Sequence, residues 1–474
     1  MSLNLPTPDD LETLSRICGD GGVRRGEDMV PYLTDPRDLV DGAAAIVLRP
    51  SSTEQVAEIV RHCAGRQIGI IPYGGGTGLV VAQLSRDGAG MVVLSLERMN
   101  KVRSVVPDEG ALVAEAGVIL ADIQAAAEEA GRLFPLSLAA QGSCRIGGNL
   151  STNAGGVGVL RYGNARDLCL GIEAVLPNGE VLHGLKTLRK DNTGYDLRHL
   201  LIGAEGTLGV ITAAALKLYP KPGSVVTAML TVPSPAAAVS LLRHLQDGLG
   251  DNVTAFELIR AQGMQFLEQV LPDLVDPLPD RPPWRVLTEI TGAEGSDLQA
   301  RTEAALAAAF ERELATDGVI ASSEAQRGNM WNIREHLPEG NRRVGSISSH
   351  DISVPIGRIA EFLDKADALI AGIDPALRIN CFGHMGDGNL HYNVFPPEGR
   401  AHKDYDNQRK VLKQSVHDLV AELGGSFSAE HGVGRMKTED LIRYGDPTKI
   451  AAMRAIKAAL DPAGIMNPGA VLRT

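Results

Sequence analysis

The sequence is poor in cysteine, and its cysteines show no pairing pattern. Its 474 residues include five, which are widely spaced and form no Cys-x-x-Cys pair. An odd number of scattered cysteines is not typical of a disulfide framework or of a thiolate metal site. We therefore expect a soluble protein of a reducing cytoplasm. The five residues are Cys18, Cys63, Cys144, Cys169 and Cys381.

Long apolar runs and an excess of positive charge are also lacking. No stretch approaches the roughly 20 apolar residues that a membrane-spanning helix needs. The opening segment, MSLNLPTPDDLETL, is acidic and lacks the basic and apolar regions of a secretory signal. Lys and Arg number 46 against 58 Asp and Glu, a net charge of −12, whereas a nucleic-acid surface needs clustered positive charge. The sequence thus predicts a cytoplasmic protein with no transmembrane segment and no nucleic-acid partner.

Glycine, by contrast, is abundant, with 53 residues that cluster in short loops. Three glycine-rich segments stand out, at 72–78, 142–158 and 203–209. The first is neither of the common phosphate-binding motifs, because Leu79 stands where GxGxxG needs its last glycine and no GK[ST] follows. Glycine lets the backbone approach a ligand closely, and successive N–H groups can bind an anion. Three such segments favour a long, extended ligand that is contacted mostly by backbone.

The first part of the chain has the pattern of a β-α-β unit. Apolar runs at 45–48 and 68–71 predict two strands. The residues between them carry apolar side chains at helical spacing, and Ser51 with Glu54 has the spacing of a capping box. The second predicted strand leads directly into the first glycine segment.

The pattern changes after the prolines of residues 218–222. From Ser224 onward, strand-like and helix-like runs alternate at short intervals, which predicts an α+β domain built on an antiparallel sheet. Near the end of the chain, Asp446 as the N-cap and Pro447 at the first helical position predict a helix with an apolar face that begins at Ile450.

The strongest chemical pattern is a pair of histidines, His384 and His391, in a glycine-interrupted segment. Residues seven apart on an unbroken strand point to opposite faces. The insert Gly386-Asp387-Gly388 breaks the alternation, so a turn or bulge is expected to bring both rings to one side. Glu430 and His431 follow later in the chain. Two neutral imidazoles and a carboxylate suit a borderline divalent ion such as zinc, with manganese or iron as alternatives.

Five segments occur together in one order: PYGGGTG, GGNLSTNAGG, KDNTGYDLRHLLIGAEGTLGVIT, GHMGDGNLHYNV and AEHGVGRMK. In these segments the chain resembles the FAD-linked D-2-hydroxyacid dehydrogenases of the vanillyl-alcohol-oxidase superfamily, from about Ala43 to the C-terminus. The family includes D-2-hydroxyglutarate dehydrogenase, D-lactate dehydrogenase and the flavin subunit of glycolate oxidase. The resemblance implies an α+β fold with a split FAD-binding domain of the PCMH type and an inserted antiparallel-sheet cap domain.

The implied organisation has four parts, the last of which returns to the FAD-binding domain and completes its site. They are an N-terminal segment at 1–42, the FAD-binding domain at 43–222, a ferredoxin-like cap domain at 223–425 and a C-terminal segment at 426–474.

The resemblance also implies which residues bind FAD. The loop at 72–84 contains no histidine or cysteine, so we expect the cofactor to be held without a covalent bond. The residues that match pyrophosphate contacts are Pro72, Gly74, Gly75, Gly76, Thr77 and Gly78. Those that match the flavin surroundings are Ser143, Gly147, Gly148, Asn149, Thr152, Asn153 and Gly155, with Glu205, Ile211 and Asn467 completing the site.

By the same resemblance, His384, His391 and Glu430 match the metal ligands, and His431 matches the catalytic base. Arg334 and Asn393 match substrate contacts, the arginine by gripping a carboxylate through two hydrogen bonds.

The chain departs from the D-2-hydroxyglutarate enzymes at two places. Pro338 stands where a hydroxyl residue is expected, and Ser349-His350 replaces a lysine-containing stretch. His350 is therefore the candidate substitute for the missing lysine in substrate binding.

The implied activity is FAD-dependent oxidation of a D-2-hydroxyacid, with D-2-hydroxyglutarate as the favoured substrate and D-lactate or glycolate as alternatives. Two other classes stay open: a metal-free relative that oxidises a sugar or alcohol, and a non-catalytic flavin- or metal-binding subunit of a larger complex. No nicotinamide-binding motif is present, so we expect an electron-transfer flavoprotein or a quinone-linked carrier as the electron acceptor. The family also suggests a homodimer.

Overall fold

The computed structural model describes residues 3–37, 40–278 and 280–473. No helix within these ranges is both long and apolar enough to cross a membrane. The α-helices are α1 (Pro8–Cys18), α2 (Val30–Leu33), α3 (Thr53–Arg66), α4 (Leu120–Glu129), α5 (Ile146–Ser151), α6 (Val159–Tyr162), α7 (Leu197–Leu201), α8 (Pro235–Leu249), α9 (Ala261–Val270), α10 (Leu298–Glu311), α11 (Glu324–Val344), α12 (Ile359–Ile373), α13 (Asp406–Glu422), α14 (Thr438–Tyr444) and α15 (Pro447–Leu460).

The strands form four sheets, of four, five, two and seven strands, within the described ranges. The strands are β1 (Val23–Arg24), β2 (Ile46–Leu48), β3 (Ile70–Tyr73), β4 (Val92–Ser95), β5 (Val102–Val106), β6 (Ala111–Glu115), β7 (Arg132–Leu133), β8 (Cys169–Val175), β9 (Val181–Gly184), β10 (Val210–Lys217), β11 (Tyr219–Pro220), β12 (Ser224–Val232), β13 (Val253–Arg260), β14 (Trp284–Gly292), β15 (Asp317–Ile320), β16 (Ser348–Ser353), β17 (Arg378–His384) and β18 (Asn389–Phe395).

The chain divides into two compact units. The first unit consists of the residues up to Gly155, of 163–221, and of the residues from His431 onward. The second unit consists of 156–162 and 222–430. The boundaries that the sequence suggests, at 222 and 425, fall close to two of the places where the chain passes from one unit to the other.

The first unit contains the predicted β-α-β arrangement. Strands β2 and β3 both pair in parallel with β4, which lies between them, and α3 connects them along the chain. The predicted cap is wrong by one residue, because Ser52, not Ser51, accepts the Gln55 N–H and begins the helix. The apolar side of α3 is buried as its spacing predicts. This packing fixes the end of β3, from which the first glycine segment leaves.

A second, antiparallel sheet of the first unit has the order β5-β6-β10-β8-β9. The C-terminal helix α15 belongs to this unit too, and its predicted cap is confirmed, since the Asp446 side chain accepts the Lys449 N–H and Pro447 opens the helix. Its predicted apolar face is only partly buried, with Ile450 alone in the core. The residues after the helix return to β3, where Asn467 N–H donates to the Ile70 carbonyl.

The second unit is built on an antiparallel sheet of seven strands in the order β15-β12-β14-β13-β17-β18-β16, which confirms the predicted α+β architecture. Helices α8, α10, α12 and α13 pack their apolar residues on one face of the sheet. Helices α9 and α11 pack on the other face. Helix α11, which the sequence pattern did not indicate, runs through Pro338 and carries Arg334 on a buried position.

Candidate functional site

The glycine segments of the first unit line a cleft. Its empty space, counted out to open solvent, is about 870 Å³. The walls come from the end of β3 and the loop after it, from α5 and the two residues before it, and from the segment around 205–211. His431 and Asn467, from the C-terminal part of the chain, also line this cleft.

The cleft depends on glycine because its loops meet backbone to backbone. A Cβ on Gly75 would lie 2.4 Å from the Ser143 carbonyl oxygen, and a Cβ on Gly74 would lie 3.2 Å from Gly148 Cα. Gly76 has a φ of +73°, in the left-handed region that favours glycine. The glycines therefore keep the two loops close together and leave peptide groups at the wall of the cleft.

Most of the residues expected at the cofactor lie on this wall. The exceptions are Ser143, Asn153 and Gly155, which do not line the cleft. Asn153 instead accepts the Arg166 N–H and so fixes its own loop. The residues that do line it are Pro72, Gly74, Gly75, Gly76, Thr77, Gly78, Gly147, Gly148, Asn149, Thr152, Glu205, Ile211 and Asn467.

One lining residue carries an unsatisfied polar atom. Asn149 is buried, and within the described ranges its amide oxygen Oδ1 has no hydrogen-bond partner. A buried acceptor without a donor is costly, and such groups in native proteins need an explanation. A flavin ring carries an N–H donor and FAD carries phosphates that suit the glycine N–H groups, so the residues of the cleft fit that cofactor.

Glu205 and Asn467 also brace the cleft. The Glu205 carboxylate is buried and accepts the N–H groups of Val433 and Gly434 at 2.7 and 2.8 Å. Burial raises the pKa of this carboxyl, although these two donors oppose the shift. The Asn467 amide donates to the carbonyls of Glu205 and Ala82. These bonds hold the C-terminal residues of the first unit against the glycine loops.

The second unit presents a polar face on its sheet, which we define by Glu257, His384, His391, Asp351 and Asn393. Glu257 is paired with His384 across β13 and β17, and His391 with Asp351 across β18 and β16. Since alternate residues of a strand share a face, Asn393 lies on the same side as His391. Four neighbouring strands thus bring these side chains together.

A tight turn places the two histidines side by side, as the glycine insert predicts. Strand β17 ends at His384, a 3₁₀ turn follows, and Gly388 with a φ of +88° leads into β18. The rings of His384 and His391 are 5.9 Å apart, centroid to centroid. The hairpin therefore brings both rings to the same side of the sheet, although the two histidines are an odd number of residues apart.

Glu430 completes a group of three side chains of the types that ligate metal ions. Its Oε1 lies 3.4 Å from His384 Nε2, and its Oε2 lies 3.9 Å from His391 Nε2. One ligand atom from each residue lies within 4.8 Å of the others. Two imidazole nitrogens and a carboxylate are the donors of many catalytic zinc sites, so the residues present fit a divalent cation.

The two histidines have different electrostatic surroundings. Burial disfavours the charged ring of His391 and lowers its pKa to about 4. Burial acts in the same direction on His384, but the adjacent Glu257 carboxylate outweighs it and raises the pKa to about 10. The two rings thus differ in charge near pH 7, and a cation that bound at this group would have to displace a proton from His384.

Glu257 and Asp351 are residues of this site that the sequence patterns did not reveal. Glu257 Oε1 accepts His384 Nδ1 at 2.6 Å, and its Oε2 accepts Arg334 Nε at 2.5 Å. Asp351 accepts the amide of Asn389 at 3.0 Å and the Glu430 N–H at 3.1 Å. Neither carboxylate belongs to a local motif, and only the strand register shows that they face the histidines.

Two of the three predicted substrate residues, Arg334 and Asn393, lie near the proposed ligands. Arg334 is buried, stacks over Phe382 and, within the described ranges, uses only Nε in a hydrogen bond, so its terminal nitrogens are available to a carboxylate. Asn393 is buried on the same polar face and donates to the carbonyls of His391 and Asn380. Both therefore lie beside the metal-ligating group.

His350 is not brought to this group, and its expected role in substrate binding is not supported. It pairs with Tyr392 across the sheet, one position away from the Asp351–His391 pair, and so points to the opposite face. There its ring is buried, bonds Ser348 Oγ at 2.9 Å and packs edge-on against His417. A shift of one residue along a strand changes the face on which a side chain lies, so the structure does not bring His350 to this group.

Comparison with protein families gives two matches. Residues 44–184 match a family described as FAD binding domain, and residues 221–471 match one described as FAD linked oxidases, C-terminal domain. The second match alone covers more than half of the chain.

Curated relatives match along nearly the whole chain. A protein of Bos taurus named D-2-hydroxyglutarate dehydrogenase, mitochondrial, is 37% identical over 476 residues, covering 100% of this chain and 85% of the relative. The Arabidopsis thaliana protein of that name is 35% identical, with 98% and 81% covered. D-2-hydroxyglutarate dehydrogenase of Stutzerimonas stutzeri is 36% identical, with 90% and 91% covered.

Solved structures of lower identity share the fold. The structure of p-cresol methylhydroxylase with bound substrate has a TM-score of 0.74 at 17% identity and covers 98% of each chain. A 4-ethylphenol oxidase from Gulosibacter chungangensis has a TM-score of 0.73 at 19% identity, with 99% of each chain covered. The fold expected from the sequence motifs is therefore confirmed.

Proposed function

The chain belongs to the FAD-linked oxidases, within the group of FAD-dependent D-2-hydroxyacid dehydrogenases, and we propose that it oxidises D-2-hydroxyglutarate to 2-oxoglutarate. The observation that carries this proposal is the polar face of the second unit. Together with Glu430, this face supplies donors for a divalent cation, and the buried Arg334 guanidinium next to it has two free terminal nitrogens. A 2-hydroxyacid needs this chemistry, because its hydroxyl must lose a proton while its carboxylate is held.

The cleft of the first unit is the proposed FAD site. The glycine N–H groups around 74–78 suit the pyrophosphate, and the buried Asn149 oxygen suits a ring N–H. Bound FAD supplies the acceptor for the hydride that leaves the α-carbon of the substrate. The loop at 72–84 contains no histidine or cysteine, which supports a non-covalent complex.

His384, His391 and Glu430 are the proposed metal ligands, with zinc as the favoured ion. A divalent cation held by these residues supplies a Lewis acid that lowers the pKa of the substrate hydroxyl. The hydrogen bond between Glu257 and Nδ1 of His384 supports this role, because metal-ligating histidines commonly donate their other ring N–H to a carboxylate.

His431 is the proposed general base. It lines the cleft of the first unit and follows the metal ligand Glu430 directly in the chain. An imidazole with an ordinary pKa near 6.5 can accept the hydroxyl proton near neutral pH. His431 would then take the hydroxyl proton, while bound FAD would supply the hydride acceptor.

Arg334 and Asn393 are the proposed substrate contacts. The Arg334 guanidinium is fixed through Nε and can bind a carboxylate through its two remaining nitrogens. The relatives that support a dicarboxylic substrate are those named for D-2-hydroxyglutarate.

The proposal includes an electron-transfer flavoprotein or a quinone-linked carrier as the acceptor, because the chain carries no nicotinamide-binding motif. It also includes a homodimer, which rests on the family resemblance. We place the protein in the cytoplasm because its five cysteines are all buried and free. The animal and plant relatives are named mitochondrial, and that location is stated of those proteins alone.

A visible spectrum tests the proposed reaction. The purified, FAD-loaded protein is mixed anaerobically with D-2-hydroxyglutarate, and with D-lactate in parallel. We expect the flavin absorbance to bleach faster with the diacid. Bleaching only with lactate contradicts the proposed substrate but keeps the reaction class, whereas folded protein that shows no flavin absorbance after added FAD contradicts the function as a whole.

A further inference from the structure

We propose that Glu257 is a positioning residue that fixes the metal ligand His384 and the substrate arginine Arg334 at the same time. This inference rests on the proposed function and deepens it, because it assigns one buried carboxylate to both halves of the substrate site. Nothing in the sequence motifs points to Glu257, which lies more than a hundred residues before His384.

The Glu257 carboxylate bridges two side chains, His384 and Arg334. Its side chain is fully buried on β13, and each carboxylate oxygen receives one donor. Oε1 accepts His384 Nδ1 at 2.6 Å, and Oε2 accepts Arg334 Nε at 2.5 Å. A buried carboxylate with two charge-assisted hydrogen bonds has little freedom to move.

The bond to His384 determines which ring nitrogen can bind a cation. A carboxylate only accepts hydrogen bonds, so the hydrogen must lie on Nδ1 of His384. The lone pair of the neutral ring is then on Nε2, the atom that lies 3.4 Å from Glu430. Glu257 therefore selects the tautomer and the ring orientation that a metal site needs.

The bond to Arg334 has a parallel effect on the guanidinium. It occupies Nε, and the stacking of the guanidinium over Phe382, 4.9 Å from the ring centroid, fixes its plane. The two terminal nitrogens stay free to form a bidentate pair with a carboxylate. Loss of Glu257 is thus expected to weaken both metal binding and substrate binding.

The same sheet offers a matched control, Glu289 on β14. Its side chain lies on the same face as Glu257 and also bonds helix α11, through Trp331 Nε1 at 2.8 Å. It accepts the Thr227 hydroxyl and makes no bond to His384 or Arg334 within the described ranges. A carboxylate with a purely structural role in this packing is therefore available for comparison.

The first experiment measures zinc affinity in FAD-loaded protein without substrate, by competition with a chromophoric chelator. We expect Glu257→Gln to weaken zinc binding by about 10- to 100-fold, while Glu289→Gln stays within about twofold of the wild type. Glu257→Asp keeps the charge but is too short to reach both donors, so it is expected to weaken zinc binding even if Glu257→Gln folds poorly. Wild-type zinc affinity in either Glu257 variant overturns the inference.

The second experiment separates the arginine contact by a double-mutant cycle on the KM for D-2-hydroxyglutarate. With zinc held at saturation, so that weaker metal binding does not contribute, Glu257→Gln and Arg334→Gln are each expected to raise KM, and the Glu257 effect is expected to be smaller in the Arg334→Gln background. Additive effects overturn the role of Glu257 at Arg334. If the wild-type protein binds no zinc and its flavin is not reduced by the substrate, the proposed function itself is wrong. If the wild type behaves as proposed and only the Glu257 variants do not, the role of Glu257 alone is wrong.

Discussion

The two units build their sites from different materials. The cleft of the first unit is made mainly of peptide groups that glycine leaves exposed, and its loops are continuous in the sequence. The polar face of the second unit is made of side chains from four strands, and Arg334 beside it comes from a helix; most of these elements are far apart in the sequence. A site built from backbone groups, which we call a backbone site, tolerates almost no added side-chain volume. A site built from side chains depends instead on which residue stands at each position and on which face of the sheet it lies.

The largest expected effect tests whether metal binding in the second unit requires a histidine on the polar face of the sheet. His391→Ala removes a proposed metal ligand, so zinc affinity is expected to fall by more than about 100-fold and kcat on the order of 10³-fold. His350→Leu is the matched control, because His350 lies on the opposite, apolar face of the same sheet.

The measurements are zinc competition and steady-state kinetics on FAD-loaded protein. His350→Leu is expected to retain wild-type zinc affinity and to change stability alone. Equal loss of zinc affinity in both variants would show that the polar face does not set the metal site.

The next prediction addresses the first unit, where added volume is expected to matter more than chemistry. Gly75→Ala places a Cβ 2.4 Å from the Ser143 carbonyl oxygen, so the two loops must separate. We expect the affinity for FAD to fall by about 10- to 100-fold, which corresponds to the 1–3 kcal/mol cost of overpacking. Fluorescence titration of the apoprotein with FAD measures this loss.

Gly65→Ala provides the control for that variant. Gly65 is an exposed residue of α3, and a Cβ there meets no atom within 4 Å. Alanine favours the helix over glycine by about 1 kcal/mol, so this variant is expected to be slightly more stable and to bind FAD normally. Unchanged FAD affinity in Gly75→Ala would contradict the view of the cleft as a backbone site.

The same contrast explains how much the sequence alone predicts. The contiguous glycine segments indicate the cleft, because a loop that must pack backbone against backbone leaves a local signal in glycine, and the family resemblance implies which individual residues bind the cofactor. The pair His384 and His391 was found for a similar reason, since the hairpin that joins them is short. Glu257 and Asp351 were missed because their proximity to the histidines depends on strand register, which no local pattern specifies.

Errors in the fold prediction have equally local causes. Helix α11 was missed because Pro338 interrupts its pattern, although the helix continues through it. The cap of α3 was placed one residue early because Ser51 and Ser52 are adjacent and either can begin a capping motif. The sequence suggests His350 as a substrate contact because it occupies the place of an expected lysine, and only the strand register shows that its side chain lies on the opposite face.

The smallest expected effect concerns a carboxylate that the first unit uses for stability alone. Asp10, in the first turn of α1, accepts Thr7 N–H and hydroxyl, Arg66 Nε and His62 Nε2. Its burial opposes the charged form, but the bonds from Thr7 and Arg66 outweigh this and hold the pKa of the carboxyl far below its usual value. Because the pKa is lower in the folded protein, the stabilisation is present above the unfolded pKa of about 3.9 and is lost as the pH falls below it.

Asp10→Asn is therefore expected to cost about 2 kcal/mol at pH 7, through the lost cap and the lost ion pairs. Thermal unfolding of the apoprotein measures the cost, with the exposed neighbour Asp9→Asn as the control that leaves the melting temperature nearly unchanged. The difference between wild type and Asp10→Asn is expected to narrow as the pH falls below about 4, while FAD affinity stays unchanged at pH 7. A loss of FAD affinity in this variant would mean that a side-chain charge distant from the cleft contributes to FAD binding. The cleft of the first unit would then depend on side chains as well as on its backbone.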